Sequence, residues 1–343
     1  MTVAPQGRPM HRLSLTGPAD FSRLVRCLEQ YTIPKVAGRR ARIVHLRRSP
    51  SQSATSYNAE VVSVRLSDGT EMRFFLKDYG SSRRPRPAAS QRRERELGVY
   101  RHLIGDGEIG TARYRGAVWD DGAAVHWLLL EFVAGTELRH MELRFWIEAA
   151  RWLGRAQGRF AGSRLPSEVM PLLERHDARF FEAKAERARR SVSPYSPALA
   201  RRLEAILERY EPSIDLIAGQ EQSLVHGHYD AANILVVVDA TPIRICPVDW
   251  ELAALGSRFF DLASLCDGFQ PPALHRIWDA YAEGAADAGL LTPARDRLRH
   301  LVDCFRLVRV IAWLGGAAEK RYSPSGVERL MARGETLAPL VES

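Results

Sequence analysis

The chain has 343 residues, is 45% hydrophobic and carries a formal net charge of +8. That length suffices for two lobes with a core each, and no run of about 18 or more apolar residues offers a membrane span. The positive charge is nearly all arginine, with lysine only at Lys35, Lys77, Lys184 and Lys320, and it is spread along the chain; this argues against a nucleic-acid stripe and for a solvated basic surface near a phosphate-bearing ligand.

Residues 1–20 carry Pro, Gly and Arg without periodicity and read as an arm; they lack the apolar stretch of a secretory signal, so a cytoplasmic protein is expected. Phe21–Tyr31 has helical apolar spacing. The runs 41–47, 59–66 and 71–77 alternate like strands, and Ser67-Asp68-Gly69 between the last two is a hairpin sequence. A polar turn, 49–57, precedes them in part, and a basic loop, 80–91, leads to a helix over Arg92–Leu103. Gly105–Gly110 spells G-x-G-x-x-G, but it follows a helix and opens none, so it reads as a turn and not as a dinucleotide loop. Strands follow over 111–119 and 126–132. From about 141 onward helical spacing dominates, as in 145–156 and 199–210, interrupted by short strand pieces at 223–238 and 243–249. The four cysteines lack C-x-x-C spacing and three sit in apolar surroundings, which predicts buried free thiols. A strand-rich first part followed by a helix-rich second part predicts an α+β, bilobal architecture.

Two segments carry chemistry. The first reads Ser-Leu-Val-His226-Gly-His228-Tyr-Asp230-Ala-Ala-Asn233, and the second Pro-Val-Asp249-Trp-Glu251-Leu, with Phe-Asp261-Leu-Ala ten residues on. Together they resemble the catalytic and metal-binding loops of the aminoglycoside phosphotransferase/choline kinase family, small-molecule kinases of protein-kinase-like fold. The family's first loop usually reads H-G-D-x-x-x-x-N; here His226, Gly227 and Asn233 are in register and His228 stands where the Asp is usual. The resemblance runs from about residue 36 to about residue 320. It divides the chain into an N-terminal arm and helix (1–35), an N-lobe (36–130), a hinge (131–138) and a C-lobe (139–343).

The resemblance implies a nucleotide, ATP with GTP as an alternative, and Mg²⁺ held by Asn233 and Asp249. Hard oxygen donors of this kind suit that ion. Lys77, at the end of the strand Phe74-Phe75-Leu76-Lys77, is assigned to the phosphates and Glu96 to its pairing; Glu94 is the competing helix acid. Glu131 and Val133 are assigned to the adenine edge through their backbone, and the turn 49–57 to the phosphates. His226 and Asp261 are assigned to holding the catalytic loop. Glu251, Asp267 and Asp303 are candidates for the acceptor site, the last two as attractors of a cation, and Trp313 is assigned to core packing.

Three readings of position 228 stand. A neutral imidazole at His228 accepts the acceptor's proton; or Asp230, two residues on, supplies the carboxylate; or no base is present and the chain is a nucleotide-binding pseudokinase. The leading expectation is an ATP-dependent O-phosphotransferase acting on a small hydroxylated molecule, with neither a nucleic acid nor a membrane as partner. A remoter alternative takes His226-x-His228-x-Asp230 as the start of a zinc hydrolase site.

Overall fold

A computed structural model describes residues 18–37, 41–51, 57–82, 88–161 and 165–342. Most of the polar turn 49–57, the middle of the basic loop 80–91 and residues 1–17 of the N-terminal arm lie outside the described residues. The chain forms two compact units. One is drawn from the stretches Met1–Arg84 and Arg115–Leu130, the other from Pro85–Tyr114 and Glu131–Ser343.

The first unit begins with helix α1 (Pro18–Cys27), which runs through a π turn, Leu28–Thr32, into the short α2 (Ile33–Ala37). Strands β1 (Ile43–Pro50), β2 (Tyr57–Leu66), β3 (Glu71–Ser82), β4 (Tyr114–Asp120) and β5 (Val125–Glu131) make one sheet in the order β1-β2-β3-β5-β4. The hairpin predicted at 67–69 joins β2 to β3: Gly69 has φ +84°, and the Thr70 amide donates to the Asp68 carboxylate at 3.0 Å. Glycine meets no steric penalty at that φ. Register places Val62 opposite Phe74 and Val64 opposite Met72. The alternation within β2 turns Val62, Val64 and Leu66 to one face, where Leu24, Leu28 and Ile33 pack with Phe74 and Trp127. This is the core of the unit.

The second unit is mainly helical. Helix α3 (Ala89–Val99) continues as a π turn, Tyr100–Ile104, and the Gly105–Gly110 segment that follows is a set of turns, with Gly107 at φ +79° and Gly110 at +90°. After β5 the chain makes β6 (Thr136–Glu137), α4 (Leu143–Arg159), β7 (Glu174–Arg175), α5 (Ala178–Val192), α6 (Pro197–Tyr210) and α7 (Ile214–Ala218). Ser196 caps α6 by accepting from the Leu199 amide at 3.1 Å, with Pro197 at the first helical position. Then come β8 (Gln222–Val225), β9 (Ile234–Val237), β10 (Arg244–Pro247), β11 (Ala254–Ser257), α8 (Phe259–Leu265), α9 (Ala273–Asp287), α10 (Arg295–Gly315) and α11 (Pro324–Leu337). Two small sheets, β10-β9-β6 and β7-β11-β8, frame the loops that carry the motif residues. Helix α4 crosses α9 through glycines: a Cβ on Gly154 would lie 2.4 Å from the Tyr281 carbonyl oxygen, and one on Gly284 would lie 2.0 Å from that of Arg151. All four cysteines are buried and free. Among the described residues no helix is long and apolar enough to cross a membrane.

Candidate active site

The loop after β8 is tied down at its first two residues. The amides of His226 and Gly227 donate to the two oxygens of Asp261, at 2.6 and 3.1 Å, from the first turn of α8. Burial pushes the Asp261 carboxyl up to about 7, and the two amide bonds oppose that rise. Gly227 has φ +76°, and a Cβ there would lie 2.1 Å from the Leu252 carbonyl oxygen, so glycine is required on both counts. The His226 ring lies 2.9 Å from the Val248 carbonyl oxygen and packs on Trp250. Burial lowers its pKa to about 4, with His228 acting in the same direction. It is a neutral imidazole donating from Nε2.

Further bonds join this loop to the strand that precedes Asp249. The Val248 amide donates to the Asn233 carbonyl at 2.8 Å, and the Asn233 amide donates to the Asp230 carbonyl at 2.8 Å. The Asn233 side chain donates from Nδ2 to the His228 carbonyl at 3.0 Å and lies 3.0 Å from His228 Nδ1. With Nδ2 so used, Oδ1 is the atom that Asn233 offers to a cation. Asp249 follows β10 with φ +69°, a left-handed conformation that is uncommon outside glycine. Asp249 groups with Glu96 of α3 and the buried Glu251: one carboxylate oxygen from each falls within 4.8 Å of the others. Among the described residues this is the set of acidic, cysteine and histidine side chains with the geometry to hold a metal ion. Glu251 also has Arg92 at 3.4 Å, while its backbone carbonyl accepts from Arg95 at 3.0 Å. Glu94 is exposed and accepts from Ser90, so the buried acid of α3 is Glu96.

His226, His228 and Asp230 form no such metal set. The His226 ring is turned to Val248, and His228 is turned to Asp230. The zinc-hydrolase alternative falls with that geometry. His228 Nε2 is 3.0 Å from Asp230 Oδ2, and the other oxygen of Asp230 accepts from Ser264 at 2.6 Å and from Arg309 at 2.7 Å. Burial is the largest single influence on His228 and would lower its pKa; the Asp230 hydrogen bond and the charges of Asp230 and Asp249 outweigh it and raise the pKa. For Asp230, burial pulls upward, but His228, Arg309 and Ser264 together hold the carboxyl well below its ordinary value. Sequence reading missed Ser264 and Arg309. The available signal was a single arginine inside the apolar run Leu307–Trp313 of α10.

The other assigned residues are placed as follows. Lys77 lies in the first unit on β3, opposite Ala59, buried between the rings of Tyr57 and Tyr79 at 5.4 and 5.3 Å. Glu131 ends β5, where its carboxylate takes two bonds from Arg244, at 2.7 and 2.9 Å, and its amide donates to the Arg113 carbonyl. Val133 lies in the segment without regular structure after it, half-buried. Asp267 is bonded to Arg333, and the buried Asp303 to Arg306 at 2.9 Å. Trp313, assigned to the core by its apolar neighbours, is half-buried and meets two guanidiniums, Arg309 at 4.9 Å and Arg333 at 5.3 Å from its ring centroid.

A model of the phosphotransferase enzyme family (APH) matches residues 56–301. A search of curated proteins returns no match. Among solved structures, choline kinase from Cryptosporidium parvum is 14% identical with a TM-score of 0.61, over 93% of this chain and 96% of that one. The GDP complex of aminoglycoside 2'-phosphotransferase-IIIa is 11% identical with a TM-score of 0.59, over 95% and 99%. Spectinomycin phosphotransferase, in complex with ADP and spectinomycin, is 12% identical with a TM-score of 0.52, over 92% and 98%. At such identities the likeness is one of fold, and it confirms the bilobal, kinase-like α+β architecture. The family match spans well over half of the sequence, and the chain belongs to the phosphotransferase enzyme family as a small-molecule kinase.

Proposed function

We propose that this protein transfers the γ-phosphoryl group of ATP to a hydroxyl of a small molecule, with His228 orienting that hydroxyl. The observation that carries the reading is the joining of one loop, 226–233, to the residue before Asp249 through the Val248–Asn233 and His226–Val248 bonds. These bonds hold loop 226–233 against the residue before Asp249, which supports a shared site for His228, Asn233 and Asp249. The nucleotide complexes of the fold neighbours support ATP, or GTP, as the donor. Asn233 Oδ1 and Asp249 are the residues that would hold Mg²⁺, an ion that, when bound, neutralises the charge of the transferring phosphoryl group. Lys77 is assigned to the triphosphate and the backbone of Glu131 and Val133 to the adenine edge. Glu96 and Glu251 stand beside Asp249 as further carboxylates.

Phosphoryl transfer makes little demand on covalent catalysis and much on position. The acceptor oxygen forms a bond to the γ-phosphorus, the bond from that phosphorus to the bridging oxygen breaks, and ADP leaves. The acceptor's proton passes to His228. With Nε2–H donating to Asp230, the lone pair is at Nδ1, and that nitrogen takes the proton when the acceptor hydroxyl displaces the Asn233 amide from it. Asp230 therefore acts behind His228 and not in its place. A second reading is favoured by one feature: both His228 nitrogens are engaged, by Asp230 and by Asn233. A pseudokinase that binds nucleotide without transfer would keep them so.

The two readings separate in a turnover assay over hydroxylated metabolites and antibiotics. The phosphotransferase shows Mg²⁺-dependent ADP formation that vanishes in Asp249→Asn and falls about 10²–10⁴-fold in His228→Ala. Nucleotide-induced thermal stabilisation with no turnover over the whole panel would establish the pseudokinase. Intact turnover in His228→Ala, with loss in Asp230→Ala, would move the base to Asp230.

A further inference from the structure

A strip of guanidinium groups, from Arg309 to Arg333, leads away from His228, and each already holds a carboxylate. Asp230 binds Arg309, which lies against Trp313; Arg333 approaches the same ring and binds Asp267. Asp303 has Arg306 and, at 3.8 Å, Arg299. A cationic acceptor would have to displace an arginine from each of these carboxylates. Arg333 presents the opposite opportunity. Its side chain is 33% exposed, and among the described residues its hydrogen bonding is confined to Asp267. A guanidinium has five N–H donors in a planar fork, so most of that fork remains for a second oxyanion. A half-buried tryptophan beside it supplies an apolar wall for the carbon skeleton. Arg309, nine-tenths buried, also has a buried Nε without a partner, which adds to the positive character of the strip.

We propose that the acceptor carries an anionic group, a carboxylate or a phosphate, which binds Arg333 beside Trp313 while a hydroxyl of the same molecule is presented to His228. This rests on the phosphotransferase reading above and gives the substrate a class: a hydroxylated anion and not an amino sugar or an amino alcohol. Asp267 then holds Arg333 in place and competes with the ligand for it.

The test is binding, read as thermal stabilisation of the full chain with Mg²⁺ and a non-hydrolysable ATP analogue at saturation. The probes are gluconate (carboxylate), glycerol 3-phosphate (phosphate), choline and kanamycin (cations). At least one anionic probe is expected to stabilise, and which one tells carboxylate from phosphate. Arg333→Gln should weaken its binding about 10-fold or more. Asp267→Asn should tighten it several-fold by removing the competing carboxylate, whereas a cation-binding site would lose affinity in that same variant. Stabilisation by the cations alone, by no probe, or to an extent indifferent to Arg333→Gln would overturn the proposal. If anion binding shows this Arg333 and Asp267 dependence but no probe drives Mg²⁺-dependent ADP formation from ATP, the anion site stands and the transfer reading fails.

Discussion

Asp230 is held by an imidazole, a guanidinium and a hydroxyl, from His228, Arg309 and Ser264. Its carboxyl is therefore shifted down from the usual 3.8 despite burial. A depressed pKa contributes stability that is fully present above the unfolded value and is lost as pH falls through the folded one. Thermal midpoints of the wild type should accordingly drop steeply below about pH 4, a limb that Asp230→Asn flattens; equal slopes for the two proteins between pH 2 and 5 would refute this role. Two backbone positions nearby are constrained as tightly as any side chain. Gly227→Ala combines an unfavourable φ with a Cβ only 2.1 Å from the Leu252 carbonyl, and is expected to cost about 2–3 kcal/mol in urea unfolding. At Asp249, φ +69° favours Asn over Ala as the replacement, because Asn tolerates the left-handed region. The Asn variant isolates the loss of charge; the Ala variant adds backbone strain.

Elements repeat the pattern of tight approach. Helices α4 and α9 meet where Gly154 and Gly284 leave no room for a methyl group. Gly154→Val is expected to force them apart at a cost of about 1–3 kcal/mol, or more, from overpacking, read as a lowered denaturation midpoint with unchanged slope. Arg244 of β10 does comparable work for the end of β5, bonding the Gly110 and Thr111 carbonyls at 2.8 Å each as well as the Glu131 carboxylate. Arg244→Ala should destabilise the protein by about 2–3 kcal/mol, since it removes two bonds from a half-buried carboxylate and one from each of two carbonyls. If Glu131 reads adenine through its backbone, the same variant raises KM for ATP more than it lowers kcat, a split that steady-state kinetics resolves. Long elements with strong periodicity were legible in the sequence: the helices over 145–156 and 199–210 extend by only a few residues at their ends. The two-residue strands β6 and β7 were not, because a strand so short has no period; each exists by pairing with β9 or β11.

For the molecule as a whole, the hydrophobic period and two short motifs sufficed for the fold class and the family. They singled out His228, Asn233 and Asp249 as candidates, on two loops close in sequence that the bonds to Val248 join. They could not place Arg309, 79 residues from Asp230, or Arg333, 66 from Asp267. Such pairings are made by helix packing, and nothing in a linear pattern sets their register. The charge balance was deceptive for the same reason. Asp267 and Asp303 look like free acids in the sequence, but in the fold each has an arginine. The four buried cysteines have a practical consequence. Cys246, Cys266 and Cys304 each have a thiol pushed up to about 12 by burial, and Cys27 is shifted the same way. A colorimetric thiol reagent should thus find nothing to modify in the native protein and all four groups after unfolding. The natural chain is a silent background for fluorophore attachment: a cysteine introduced at exposed Ser325 would be the one reactive handle, gained without removing a single native residue from the core.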